Sequence, residues 1–76
     1  LQIAGLTAQD AEILVRGDSN RDSFAVFHLR GLEVEAVEAV NSPAEFMFAK
    51  KLIAARRPVD RRRLLDPTVP IREIAL

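Results

Sequence analysis

His28, the Glu33/Glu35 pair and the serines at 19, 23 and 42 are the side chains that could carry acid–base or nucleophilic chemistry in this sequence. Their spacing is poor for it. His28 is the only histidine, so a general base or metal site around it would have to be completed by carboxylates alone; a structural or surface histidine is the simpler reading. Glu33 and Glu35 fall on one face of a strand, where one carboxyl could hold a proton for the other, yet like charges on a solvated face also protect a sheet edge. No second histidine is present to activate a serine, and cysteine is absent, which removes thiolate nucleophiles, disulfides and the usual zinc sites. The three glycines form no phosphate-cradling loop. The residues thus offer no catalytic constellation and no cofactor site.

Charge is the more informative pattern. Up to Glu45 the chain carries three arginines against eight carboxylates, a balance of −5; after it, eight basic residues face three acids, a balance of +5. The net charge of zero therefore conceals a dipolar molecule. The densest basic run, Arg56 to Arg63, can be read as a nucleic-acid patch, as a solvated or interdomain face, or as a docking surface for an acidic protein. Against nucleic acid stand the neutral net charge, the absence of tyrosine and tryptophan as stacking platforms, and the lack of any groove-reading motif. Met47 among lysines favours docking, because a flexible apolar side chain within a charged rim suits an interface; a simply exposed methionine is the plainer alternative.

These residues need a frame, and the hydrophobic pattern supplies it. Leu1 to Ala4 alternates as a strand, Glu12 to Arg16 reads as a second, Ser23 to Leu29 as a third and Leu32 to Val40 as a fourth, with turns at 18–22 and at Arg30-Gly31. In the last strand the alternation changes phase near Ala36–Val37, as a bulge would cause. Asn41-Ser42-Pro43-Ala44-Glu45 starts a helix: Ser42 is placed to cap the Glu45 amide, Glu45 to reach back, and Pro43 to occupy the first turn. At 100° per residue, Phe46, Phe48, Ala49, Leu52 and Ile53 share an inward arc, while Met47, Lys50, Lys51, Ala54 and Arg57 face outward. Pro58 ends the helix, Asp60 caps a short turn over 61–65, and 71–76 is expected to be a helical turn. Strands followed by helices predict an α+β domain, an antiparallel sheet with one main helix and short helical turns on one face.

Seventy-six residues allow one modest core. No apolar run approaches the roughly 20 residues of a bilayer crossing, and no signal-peptide pattern opens the chain. No membrane association is expected, and the lack of cysteine is compatible with a reducing, cytoplasmic setting. The sequence begins at Leu1, directly in an apolar segment, as a piece of a longer protein would.

Leu1-Gln2-Ile3-Ala4-Gly5-Leu6, Val15-Arg16-Gly17-Asp18, Ser23-Phe24-Ala25-Val26-Phe27-His28-Leu29, Ala39-Val40-Asn41-Ser42-Pro43 and Asp66-Pro67-Thr68-Val69-Pro70-Ile71-Arg72-Glu73 occur in succession. Together they resemble the C-terminal domain of FAD-dependent NAD(P)H:ferredoxin, putidaredoxin and rubredoxin reductases, including those serving Rieske dioxygenases and bacterial cytochromes P450. The resemblance implies a third domain beside FAD and NAD domains that carry both dinucleotide loops. FAD and NAD(P)H would then be cofactors of the parent protein, with none held by this chain. The flavin-side Ser-Asp-Gln segment of the family lies ahead of the Leu-Gln-Ile stretch, so this chain would be inactive alone. The implied partner is a ferredoxin-type iron–sulfur protein. Such partners are generally acidic, and the expected docking residues are Lys50, Lys51 and Arg72, with Arg57 and Met47 beside them. A free-standing interaction or oligomerisation domain is the alternative.

Overall fold

A computed structural model describes residues 1–5, 11–17 and 22–76. The turn expected at 18–22 and Ser19 fall mostly or wholly outside the described residues. Four strands, β1 (Gln2–Gly5), β2 (Glu12–Gly17), β3 (Phe24–Arg30) and β4 (Glu33–Val40), precede the helices α1 (Pro43–Ala55) and α2 (Arg61–Leu65) and a 3₁₀ turn at Ile71–Glu73. The sheet is antiparallel throughout, in the order β1-β4-β3-β2. The fold is α+β, as the sequence predicts.

Strand β3 is apolar and aromatic on both faces and lies in the interior of the sheet, paired with β2 and β4. Ala25, Phe27 and Leu29 point to the inner face, beside Leu14 of β2 and Val37 and Ala39 of β4. Helix α1 covers the β4 side with Phe46, Ala49 and Leu52, all buried, while Met47, Lys50, Lys51 and Ala54 are exposed, matching the helical phase of the sequence. Burying Phe46 and Leu52 contributes about 1.5–3 kcal/mol each. Over β2 the cover is different: α2 delivers Leu64, and Val59 and Ile74 complete the core.

Three local expectations change. The phase slip in β4 is a bulge one residue earlier than expected: Leu29 pairs with Val34 and His28 with Ala36, leaving Glu35 extra. The Ser42 cap does not form. Asn41 takes a left-handed conformation (φ 50°), which its short polar side chain tolerates, and the Ser42 hydroxyl turns back to donate to the Val40 carbonyl at 3.2 Å, 3.0 Å from Ser23 Oγ. Pro43 still opens the helix and Glu45 supplies negative charge to its first turn. Finally, the helical turn expected over 71–76 stops at Glu73, because Ala75 instead bridges Val59. Asp60 does cap α2, accepting from the Arg62 and Arg63 amides at 2.9 and 3.2 Å.

The bulge explains a glycine. It pushes the Glu35 carbonyl against Gly5, where a β-carbon would stand 2.1 Å from that oxygen, and Gly5 also has φ +83°. Gly5→Ala is therefore expected to cost about 2 kcal/mol and to loosen β1. Hydrogen exchange at the β1 and β4 amides checks this; unchanged protection would refute it.

Candidate functional site

The outward face of α1 and the segment after it carry the residues singled out for docking. Met47 is 54% exposed, Lys50 and Lys51 are exposed beside it, and Lys50 Nζ stands 5.5 Å from the Phe46 ring centroid. That cation–π contact restrains the ammonium while leaving it in water. Arg57 lies just past the helix, where Arg56 takes a left-handed conformation (φ 53°) as its C-cap; Arg57 donates to the Leu76 carbonyl at 3.2 Å. Arg72 is exposed on the 3₁₀ turn, which packs against α1. Four of the five residues thus sit on two adjoining elements, with Arg57 just past the end of α1.

The arginine run is less uniform than its sequence suggests. Arg61 is ion-paired with Glu12 of β2, and Arg63 approaches Asp60 at 3.7 Å and donates to the Glu73 carbonyl at 3.2 Å. Those cations are committed to holding the C-terminal segment together, although exposed pairs of this kind stabilise weakly. Asp66 is occupied too: Thr68 donates to it from side chain and backbone at 2.6 and 2.9 Å, and these bonds hold its carboxyl below the usual carboxylate range.

The candidates for chemistry are taken up structurally. His28 is buried on the outer face of the sheet, and its Nε2 donates to Glu38 Oε2 at 3.1 Å; the carboxylate acceptor fixes Nε2 as the protonated nitrogen. Glu35 pairs with Arg30 at 2.7 Å, while Glu33 is exposed. Ser23 donates to the Asn41 carbonyl at 2.9 Å. Among the described residues no cluster of His, Cys, Asp or Glu could hold a metal. The all-antiparallel sheet contains no strand-helix-strand crossover to cradle a dinucleotide.

Sequence reasoning missed Arg16. Its side chain is 4% exposed and its guanidinium donates to the carbonyls of Arg63 (3.0 Å), Leu64 (3.1 Å), Asp66 (2.9 Å) and Val69. Nε is buried without a partner among the described residues. Burial pulls the guanidinium below its ordinary value, opposed by the Glu45 and Asp66 carboxylates, but so strong a base stays charged. A cation inside an apolar strand was the available signal.

The family model described as "Reductase C-terminal" matches residues 1–75. The chain belongs to this family. The reductase C-terminal domain is 42% identical over 74 residues to putidaredoxin reductase of Pseudomonas putida, covering 97% of the chain and 18% of that protein. It is 40% identical over 77 residues to the ferredoxin–NAD(+) reductase component of a p-cumate 2,3-dioxygenase system from the same species, covering 100% of the chain and 19% of that protein. In structure it matches the covalent putidaredoxin reductase–putidaredoxin complex with a TM-score of 0.86 at 41% identity, over 93% of the chain and 17% of the matched chain. The chain spans under a fifth of the length of these relatives. No described helix of the domain is long and apolar enough to cross a membrane.

Proposed function

We propose that this domain belongs to a cytoplasmic FAD-dependent NAD(P)H:ferredoxin reductase, in which it supports the flavin-bearing part and forms one side of the docking surface for an iron–sulfur protein. The observation that carries the reading is the likeness, at 41% identity, to a reductase held in a covalent complex with its partner putidaredoxin. In the parent protein a hydride passes from NAD(P)H to FAD and single electrons then pass to the partner; this domain contributes recognition. Lys50, Lys51 and Arg72 supply positive potential toward an acidic surface, with Arg57 at the rim and Met47 as the apolar contact.

The outer face of the sheet supports a place inside a larger protein. Ile13 and Ile3 are 60% and 57% exposed there, with Val15 at 41%, large apolar side chains that a covering surface would bury. The FAD and NAD domains are the proposed cover. A stand-alone interaction or oligomerisation domain would use the same face, but would not support ferredoxin reduction.

The test uses the full-length reductase. Lys50→Ala/Lys51→Ala is expected to raise the KM for ferredoxin about tenfold at low salt, the difference shrinking as ionic strength screens the attraction. Flavin absorbance should be intact. Equal KM values for variant and parent at low salt would remove α1 from the docking surface.

A further inference from the structure

The segment from Asp60 to Ile74 is a loop closed at its base. The Asp60 amide donates to the Ile74 carbonyl at 2.7 Å, the Leu76 amide to the Pro58 carbonyl at 2.9 Å, and Val59 bridges Ala75. The chain thus leaves the domain and returns to the same point, as in a compact surface loop. Such a loop must satisfy its own inward-facing carbonyls, and local amides reach only some of them: the Asp66 amide donates to the Arg63 carbonyl at 3.2 Å and the Val69 amide to the Asp66 carbonyl at 3.1 Å, each leaving a second lone pair to fill. Here four of them, from Arg63, Leu64, Asp66 and Val69, converge on the guanidinium of Arg16, which comes from strand β2 about fifty residues earlier. Nη1 alone serves three. The C-terminal end of α2 adds the partial negative charge that favours a cation at this spot.

Two carbonyl acceptors of this set, Asp66 and Val69, lie in the link between α2 and the 3₁₀ turn that bears Arg72. The turn itself packs on α1. Holding that link therefore sets where Arg72 stands relative to Lys50 and Lys51. Lysine could not substitute, because one compact ammonium cannot span the carbonyls that a planar fork reaches.

We propose that Arg16 is a positioning residue of the docking surface: an internal cation that fixes the 60–74 loop, and with it Arg72, in the arrangement presented to an acidic iron–sulfur partner. The inference rests on the docking reading above. Removing the side chain leaves a hole lined by four carbonyl oxygens, into which a free guanidinium ion fits.

The experiment compares Arg16→Ala with the parent in the full-length reductase, reading amide exchange over 66–74 and the KM for ferredoxin. Both are expected to rise about tenfold, since hydrogen bonds to a charged group are among the stronger ones. About 10 mM guanidinium, far below denaturing concentrations, should restore both, and the same concentration of urea, a neutral molecule of the same shape, should not. If alanine prevents folding, Arg16→Lys keeps the charge and gives the same two readouts with a smaller defect. Unchanged exchange over 66–74 would overturn the clamp itself. Exchange that rises and is rescued while KM stays constant would overturn the docking role of the loop and leave the clamp standing. A loss of packing alone would not be repaired by guanidinium in preference to urea.

Discussion

Phe27→Ala is expected to lower the stability of the domain by about 3–5 kcal/mol, the range for deleting a fully buried aromatic ring. Phe27 is fully buried on β3, with Leu14 and Val37 opposite it on the two flanking strands. The sheet backbone on both sides fixes these neighbours, so the surroundings can collapse little into the hole. A domain of this length holds roughly 4–11 kcal/mol in total, and the substitution removes a large share of it. Opening free energies from hydrogen exchange at β3 and β4 in the full-length protein provide the measurement. A loss under 1 kcal/mol would mean that the ring is not the keystone of this sheet.

Leu64→Ala should cost about 2–4 kcal/mol, but the loss should appear in a different place. Leu64 is fully buried, yet it belongs to α2, which contacts β2 and is tied to the rest by the short bridge at Val59. Truncating it removes the apolar anchor of the 60–74 loop while leaving the β3–β4 hairpin and α1 intact. Amides of α2 and of residues 66–74 should lose protection, and those of β3 and β4 should keep it, as expected for a separately opening unit. Uniform loss across all elements would show instead that the loop and the sheet open together.

Most of the fold was legible because the local signals agreed. Alternation marks β1 and β4, an apolar run stopped by Gly17 marks β2, aromatic and β-branched residues mark β3, Pro43 and the 3.6-residue period mark α1, and Asp60 marks α2. The places where reading failed are those where a long-range contact outvoted a local one. Ser42 has the right type and spacing for a cap, but the left-handed turn at Asn41 aims its hydroxyl at Ser23 and Val40. Ile71 to Leu76 lacks a strand pattern, and only the return of the chain to Val59 makes Ala75 a bridge residue. The run Ile13-Leu14-Val15 in β2 does not mark an inner face: Ile13 and Val15 face outward, and the inner face holds Leu14 and the charged Arg16. No local rule anticipates a buried arginine whose four acceptors lie 47 to 53 residues along the chain. The helix face with Lys50 and Lys51 was readable from phase alone, whereas the packing that carries Arg72 alongside α1 required the closed loop.

The strand order β1-β4-β3-β2 also dictates a history. Strands β3 and β4 are joined by the two residues Gly31 and Leu32, so their pairing closes a very short loop and can form early. Strand β1, although first in sequence, has nothing to pair with until β4 exists; Ala4 waits for Val37. Pairing β1 with β4 closes a far longer loop than the hairpin does, so β4 shows one unpaired edge until that loop closes, and that edge is where a neighbouring chain could add a strand in error. The bulge at Glu35, which demands a glycine from any strand that joins there, makes β4 selective for its own β1.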